Sequence, residues 1–283
     1  MTVHDLDKIP TAALLTRTLE SARAEPVLQS DDYWAHVRAL HFRAGPDVFA
    51  AAVTFCSSAD WISRAIGADI LAQLGAQPGG NAEYPFADQS VPILVSLLGD
   101  GQPDVIASAL YALGHLGLGE PTLLAPLAQH VSEEVRGAVA YALGGRADSL
   151  SIDTLIHLSR DPDLETRNWA TFALGALSEE DSSAIRDALA ANLTDADDEV
   201  RGEAIAGLAK RLDGRAVQPI LSELEQPNVI GLAIEAAEAL PHSEFLPQLE
   251  RLQTANPDDE DIQRAVVRCR DASSRNANDQ SDA

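Results

Sequence analysis

The sequence predicts an all-α fold, a right-handed α-α superhelix in which helical hairpins stack into a solenoid. The main observation is the motif VR..A..ALG, whose leucine recurs 30, 31 and 34 residues apart, at Leu113, Leu143, Leu174 and Leu208. A period in this range is typical of repeat architectures. No alternating Val, Ile and Thr run bounded by turn residues suggests a strand. Aromatic residues make up only 5% of the chain, and small side chains suit closely packed helices.

The N-terminal part of the chain carries four helix patterns before the regular repeats begin. Residues 1–10 form a loose lead-in, and the spacing of Leu14, Leu15 and Leu19 is typical of an amphipathic helix. Gly45-Pro46 is a helix stop followed by a restart. The helices predicted in this part are 11–28, 33–43, 46–57 and 60–74.

A long loop over residues 76–90 follows, in which Tyr84, Pro85 and Phe86 stand among polar residues. Connections between helices usually have about 2–8 residues. Long insertions in repeat arrays often lie at a binding edge. A loop that is merely tolerated explains the insertion equally well.

Five helix pairs and two final helices are predicted after the loop. The first helices of the pairs are 91–98, 121–128, 152–159, 184–193 and 216–224. The second helices start near residues 105, 135, 166, 200 and 232, and the final helices cover 245–253 and 259–270. The polar residues 271–283 are predicted to be a disordered tail. The sequence therefore predicts one continuous solenoid over residues 11–270.

The turn inside each pair has its own signature, seen in SRDPDLETR, LTDADDEVR and HVSEEVR. Acidic residues favour a helix N-terminus, where they cap the chain and meet the positive end of the helix dipole. An arginine in the first turn is unfavourable unless a carboxylate accompanies it. Asp161 precedes Arg167 by six residues, and Asp195 precedes Arg201 by the same spacing.

The combined pattern D-x-(x)-x-E-V-R-x-x-A-x-x-A-L-G resembles the HEAT-like repeat, in the short form also found in phycobiliprotein lyase subunits. The resemblance covers residues 30–255 and is strongest over 91–241. It implies an inter-repeat ladder of Asp and Arg, with Asp161/Arg167 and Asp195/Arg201 as rungs. His130/Arg136 and Asp100/Ile106 each lack one member, so we expect the ladder to be broken toward the middle of the chain.

The repeat also sorts residues by helix face. If the Val position is zero, positions 0, 4, 5 and 8 pack inward, whereas positions 3, 6 and 10 share the opposite face. Aromatic residues occur there in three successive repeats and acidic residues follow them. Aromatic side chains are favoured as binding anchors, although packing into the core is an equally good interpretation. The partner-binding residues predicted on this basis are Tyr111, Tyr141, Trp169, Phe172, Glu203, Glu235 and Glu238.

The net charge of −24, from 20 basic and 44 acidic residues, limits the class of partner. Nucleic acids and anionic membranes are bound through cationic surfaces, so neither is expected as a partner. A basic protein partner is favoured. No apolar stretch approaches a membrane span and the N-terminus lacks a secretory pattern, so we expect a cytoplasmic protein.

No catalytic, metal or cofactor motif emerges from the residues. The glycines of GHLGLGE follow a helix instead of a strand, the histidines are scattered, and the acidic run 195–199 lacks the glycine-centred loop of a calcium site. Cys56 and Cys269 form no CxxC pair and are expected to be small buried residues, although Cys269 near the terminus could be exposed. We therefore expect no cofactor and no enzymatic activity.

The favoured function is a scaffold or adaptor that binds a partner protein on the concave face. Adaptor, assembly factor and toxin-neutralising immunity protein fit equally well. The family resemblance implies an alternative, a subunit of a phycobilin lyase. The resemblance also admits a DNA glycosylase, but that activity requires a cationic face, and Glu203, Glu235 and Glu238 stand on it here. Fold alone does not decide among these functions.

Overall fold

The computed structural model describes residue 6 and residues 8–24, 28–43, 45–76 and 84–281, with side chains up to residue 274. Every regular element in these ranges is helical and none is a strand, which confirms the all-α class. Within the same ranges, no helix combines the length and apolarity needed to cross a bilayer. The chain divides into two compact units, Met1–Leu143 and Gly144–Ala283.

Unit 1 is built from helical hairpins in which the second helix of each packs on the second helix of the next. The helices of unit 1 are α1 Thr11–Ala22, α2 Asp31–His41, α3 Pro46–Cys56, α4 Trp61–Ala72, α5 Ala87–Leu97, α6 Pro103–Leu116, α7 Pro121–Leu124 and α8 Glu133–Leu143. Helix α4 packs on α2 and on α6, and α6 packs on α8. A 3₁₀ segment, Ala125–Gln129, extends α7.

Unit 2 repeats the same arrangement. Its helices are α9 Ser149–Leu158, α10 Leu164–Phe172, α11 Ser183–Ala191, α12 Asp198–Lys210, α13 Val217–Leu224, α14 Gly231–Ala239, α15 Leu246–Ala255 and α16 Glu260–Ser281. Helix α12 packs between α10 and α14, and α14 packs on α16. A π-helical turn, Ala173–Leu177, continues α10, and short 3₁₀ segments precede or follow several other helices.

The predicted inward face is buried in both units. Val105, Ala109, Leu110 and Leu113 of α6 are each 0% exposed, and so are the equivalent Val135, Val139, Ala140 and Leu143 of α8. Position 3 was predicted to lie on the face opposite the buried one. In unit 1 this prediction is wrong, because Ser108 and Ala138 at position 3 are buried. These two side chains are small, so neighbouring helices cover them.

Several predicted boundaries are wrong. Helix α1 ends at Ala22, well before residue 28, and Leu28 has a φ of 59°, which a right-handed helix cannot contain. Helix α5 begins at Ala87, so the last part of the predicted loop 76–90 is helical, while residues 77–83 lie outside the described residues.

The two chain ends also differ from the prediction. The lead-in contains the buried Leu6, and Arg43 Nη2 donates to the carbonyls of Leu6 (2.9 Å) and Ile9 (2.6 Å). The tail predicted to be disordered is helical as far as Ser281. Residues 271–281 contain neither proline nor glycine, so no helix-breaking residue stops α16 after Arg270.

A recurring turn connects the two helices of a hairpin. The side chain at its first position accepts a hydrogen bond from the backbone N–H two residues later. His130, which lacks the carboxylate of its counterparts, makes the same bond through Nδ1 to the N–H of Ser132 at 3.1 Å. The carboxylates that make this bond inside a hairpin include Asp100, Asp161, Asp195 and Asp259.

An arginine in the first turn of the second helix ties that turn together. Its Nη1 donates to the two backbone carbonyls six and five residues earlier, at distances of 2.9 to 3.2 Å. The arginines that do this are Arg64, Arg136, Arg167 and Arg201.

The carboxylate partner of this arginine belongs to the following hairpin. Arg167 forms a two-point contact with Asp195, at 3.0 Å from Nε and 3.2 Å from Nη2. Arg64 contacts Asp100 in the same way, at 2.6 and 2.9 Å. The predicted rungs Asp161/Arg167 and Asp195/Arg201 are therefore wrong, because the guanidinium of Arg167 pairs with Asp195 and that of Arg201 pairs with Glu223 and Asp198.

Other repeats vary this rung. Arg201 reaches Glu223 of α13 at 3.3 Å and also pairs with Asp198 in its own helix. The rung between the hairpins α5/α6 and α7/α8 is absent. Ile106 occupies the position of the arginine and His130 that of the carboxylate, and Ile106 is buried. Both partners of this rung are thus replaced together, which leaves no unpaired charge.

The rung predicts a stability effect at Arg167. We expect Arg167→Ala to lower the free energy of unfolding by about 2 kcal/mol, because two charge-assisted bonds and two turn bonds are lost. A double-mutant cycle with Asp195→Ala, measured by urea unfolding, is expected to give a coupling of about 1 kcal/mol. The pKa of Asp195 is held low by hydrogen bonds from Arg167. The coupling is therefore present above the unfolded-state pKa and lost as pH falls through the folded-state value.

The control for this cycle is the exposed pair Arg270–Glu250, whose side chains are 56% and 48% exposed. Its coupling should stay below about 0.5 kcal/mol. Equal couplings for the two pairs would contradict a structural role of the rung.

Candidate functional site

The predicted aromatic residues of unit 1 lie side by side on α6 and α8. The ring centroids of Tyr111 and Tyr141 are 5.2 Å apart and both side chains are half-buried. The hydroxyl of Tyr141 is 2.9 Å from Nδ1 of His115, and Gln73 Nε2 is 3.1 Å from the other ring nitrogen. The pKa of Tyr141 is raised, mainly by burial. These residues form a half-buried polar and aromatic patch.

In unit 2, Trp169 and Phe172 stand one turn apart on α10. Their rings meet edge to face with centroids 6.0 Å apart, and both are half-buried. The indole Nε1 of Trp169 donates to Glu165 at 3.1 Å, which fixes the ring orientation. The two aromatic side chains are therefore held in place while part of each ring remains accessible.

Two adjoining cavities lie along the helices α10, α12 and α14, and we refer to them together as the groove. The smaller has a volume of about 300 Å³ and the larger about 390 Å³. Phe172 and Glu203 line both cavities, so the two adjoin each other. The smaller cavity is also lined by Glu165, Asn168, Trp169 and Glu199.

Small residues make the larger cavity. At position 6, where other repeats have Tyr111, Tyr141 and Phe172, α12 has Ala206. Next to it, a Cβ added to Gly207 would lie 2.6 Å from the Cα of Gly175. The backbones of α12 and the turn after α10 therefore touch. The remaining lining residues of this cavity include Ala176, Leu232, Ala236 and Ala239.

Arg211 holds the turn that forms one wall of the groove. Its side chain is buried and donates to the carbonyls of Leu174 (2.8 Å) and Gly175 (3.1 Å), both in the π-helical turn, and to that of Glu180 (3.0 Å). A π-helical turn leaves carbonyl groups that an ordinary helix would satisfy internally. Arg211 supplies the missing donors and so fixes Gly175 against Gly207.

The groove is acidic where the helices begin. Burial, and then the charges of Glu235 and Glu199, raise the pKa of Glu203 above its ordinary value. Glu199 and Glu203 are also four residues apart on one helix, where like charges repel. Among the described residues, no cation forms an ion pair with either Glu203 or Glu235. The carboxylates of the groove thus carry uncompensated negative charge.

Among the described residues, Lys210 is the one cation that lines the groove. Its Nζ is 2.8 Å from the exposed carboxylate of Glu179 and 3.1 Å from the carbonyl of Ala176. Lys210 lines only the larger cavity. The positive charge therefore lies beside the larger cavity, at the C-terminal end of α12, and it is paired with Glu179.

The structure brings together four of the predicted site residues, Trp169, Phe172, Glu203 and Glu235, around the groove. Glu238 lies elsewhere, because its carboxylate pairs with Arg264 of α16 at 3.2 Å. Tyr111 and Tyr141 belong to unit 1. In the predicted loop, Phe86 stacks on Phe49 of α3, with centroids 4.6 Å apart, so this side chain packs within unit 1.

Sequence reasoning missed Glu165, Asn168 and Glu199, which complete the smaller cavity. It also missed Arg211, which holds the π-helical turn beside the larger cavity. Asn168 Nδ2 on α10 donates to Glu199 on α12 at 2.9 Å, so this bond joins two consecutive hairpins. The signal available was the helical spacing of Glu165 and Trp169, four residues apart. No sequence signal shows that Arg211 turns inward.

Metal and thiol chemistry find no support in the described part of the chain. No group of three His, Cys, Asp or Glu side chains there is placed to hold a metal ion. Both cysteines are free and buried, and burial raises the pKa of Cys56 to about 12. Cys269 is 0% exposed, which confirms the expected small buried residue and excludes the alternative of an exposed thiol.

Comparison with known proteins identifies the repeat. A family model described as HEAT repeats matches residues 120–209. Protein YibA of Escherichia coli (strain K12) is 33% identical over 237 residues, which are 81% of this chain and 82% of YibA. An X-ray structure of the E. coli YibA protein has a TM-score of 0.72 and 30% identity, and the match covers 95% of both chains. A crystal structure of an engineered protein, with a TM-score of 0.54 and 18% identity over 94% of this chain and 82% of its own, shares the fold alone.

The contact between Gly175 and Gly207 predicts a packing effect. We expect Gly207→Ala to lower the free energy of unfolding by about 2 kcal/mol, because the added methyl group overlaps Gly175 and Leu189. Gly214→Ala is the matched control, since an added Cβ there meets no atom within 4 Å. Thermal unfolding of both variants measures the difference, and equal midpoints would refute the close contact.

The repulsion at Glu203 predicts that its charge costs stability. Since the folded-state pKa is raised, the folded state loses stability as pH rises through the unfolded-state and folded-state pKa values of this residue. We expect Glu203→Gln to raise the unfolding free energy at neutral pH by about 0.5 kcal/mol, and the melting midpoint by about 1–2 °C. The exposed Glu225, outside both cavities, gives the control variant Glu225→Gln. A lower midpoint for Glu203→Gln would show that the carboxylate is stabilising.

Proposed function

The chain belongs to the HEAT-repeat family, with YibA of E. coli as a relative, and from this membership and the groove of unit 2 we propose that it is a binding scaffold for a basic protein partner. The partner segment lies along α10, α12 and α14. This function needs no catalytic step and no cofactor. The lyase-subunit alternative stays a prediction from the sequence resemblance.

The observation that carries the proposal is the pairing of oriented aromatic rings with uncompensated carboxylates in one groove. Trp169 and Phe172 keep accessible ring surface although apolar surface gains free energy when it is buried. A partner side chain that covers these rings would bury that surface. Rigid aromatic residues lose little conformational entropy on binding, which is why they serve as anchors.

Charge decides the chemistry of the partner. Glu165, Glu199, Glu203 and Glu235 line the groove, whereas Lys210 is its one lining cation within the described residues and is paired with Glu179. A basic segment would relieve the repulsion between Glu199, Glu203 and Glu235 on binding. The overall charge of −24 adds long-range attraction for such a partner.

The two cavities of the groove are small, and this favours an extended segment over a folded surface. Cavities of about 300 and 390 Å³ each accommodate one or two side chains. A folded domain would contact only the rims, while an extended chain can place alternate side chains into consecutive cavities. The proposal therefore specifies a short basic segment of the partner.

Selection from a random dodecapeptide display library tests this function. We expect the wild-type protein to enrich peptides of net positive charge that no longer bind when Trp169→Ala and Phe172→Ala are combined. Trp34→Ala is the matched control, since this indole is 43% exposed and lines neither cavity. Circular dichroism checks that all variants remain folded.

Two results would contradict the proposed function. One is the enrichment of peptides that bind the double variant as well as the wild type. The other is an enriched set without net positive charge.

A further inference from the structure

We propose that the smaller cavity of the groove binds an arginine side chain of the partner, and that the larger cavity binds an apolar side chain two residues away along the same extended segment. This inference rests on the proposed function and names the side chains that the groove selects.

The smaller cavity has the composition of a guanidinium site. Three of its six lining residues are carboxylates and two are aromatic. The residues are Glu165, Asn168, Trp169, Phe172, Glu199 and Glu203. A cation over an aromatic face gains about 0.5 to 2 kcal/mol, and nearby carboxylates add charge-assisted hydrogen bonds.

Two of the three carboxylates are oriented by hydrogen bonds, and none of the three is neutralised by an ion pair among the described residues. Glu165 accepts from the indole of Trp169, and Glu199 accepts from the amide of Asn168, so both bonds come from neutral donors. No ion pair to these three carboxylates occurs among the described residues. Burial and like charge also make the ionised form of Glu203 unfavourable in the free protein. A bound cation would remove that penalty.

Arginine fits this geometry better than lysine does. The guanidinium is planar, so it can stack on one ring while its five N–H groups reach carboxylates on different sides. The carboxylates here come from two helices: Glu165 from α10, which also carries Trp169 and Phe172, and Glu199 and Glu203 from α12. A lysine ammonium is a compact charge and cannot bridge them with its stem alone.

The larger cavity suits an apolar side chain. Its floor consists of Ala206, Gly207, Ala236 and Ala239 beside Leu232, which offer no hydrogen-bonding side chain. The charged residues Glu203, Glu235 and Lys210 also line this cavity, and Lys210 is paired with Glu179. The two cavities share Phe172 and Glu203, so their occupants are close neighbours. Side chains at i and i+2 of an extended chain lie on the same face, about 7 Å apart.

A titration with two matched peptides tests the arginine site. The probes are Ac-Ser-Arg-Ser-Leu-Ser-NH₂ and the same peptide with citrulline, which keeps the shape of arginine and removes its charge. The readout is the indole Nε1–H resonance of Trp169 in the ¹⁵N-labelled full-length protein, assigned with Trp169→Phe. The indoles of Trp34 and Trp61, which line neither cavity, are internal references.

We expect the arginine peptide to shift the Trp169 resonance and to bind about tenfold more tightly than the citrulline peptide. Glu203→Gln should weaken the arginine peptide by about tenfold and remove most of the difference between the two peptides. Glu225→Gln makes the same change of charge outside both cavities and should change neither affinity. Equal affinities of the two peptides, or no shift of Trp169 with either, would overturn the inference.

The display selection separates this result from the proposed function. If selected peptides still require Trp169 and Phe172 while the two probes bind equally, the arginine site is wrong and the binding function stands. If no selected peptide depends on the groove, the binding function itself is wrong.

Discussion

The two-sided bonding of the turn arginine is the interaction on which the order within each unit depends. One edge of its guanidinium satisfies two carbonyls at the end of its own turn, and the other edge meets a carboxylate of the next hairpin, as Arg167 does with Asp195. Five rigid donors on one side chain make both contacts possible at once. Where the rung is present, a side chain of constant length sets the separation of consecutive hairpins, as between the hairpins that carry α10 and α12.

Given this regular spacing, side-chain size decides where a cavity opens. The same helix position holds Phe172 in one hairpin of unit 2 and Ala206 in the next, so an aromatic wall stands beside an open floor. The contact between Gly175 and Gly207 brings the backbones together below that floor, and Arg211 fixes the turn that carries Gly175. Stability and binding make opposite demands here. The carboxylates that would attract a cation repel one another while the groove is empty, a cost that sites for ligands commonly carry.

The fold was predictable from the sequence because the repeat sets the period and buried face of each helix locally. Long-range pairing was not predictable in the same way. The six-residue spacing of Asp161 and Arg167 suggested an ion pair, yet the carboxylate that Arg167 binds lies 28 residues further along the chain. Local spacing cannot show which of several aspartates a guanidinium reaches.

The prediction for the groove was similarly partial. Trp169, Phe172, Glu203 and Glu235 were identified because helix periodicity places them on one face. Glu238 satisfied the same periodicity, but Arg264 of the last helix takes its carboxylate, and α16 lies beyond the repeat pattern used for the prediction. The inward turn of Arg211 depends on the π-helical turn, which a sequence motif of period 3.6 does not indicate.

The rungs also give the array a direction. Each runs from an arginine to a carboxylate that comes later in the chain, so the two ends of a stack of hairpins are chemically unequal. An aspartate at the leading end keeps its bond to its own turn, as Asp195 does with the N–H of Asp197. An arginine at the trailing end would project a guanidinium with no carboxylate. Here the last helix reverses the direction, because Arg264 reaches back to Glu238. The ion pair between α14 and α16 therefore has the opposite polarity to the rungs before it.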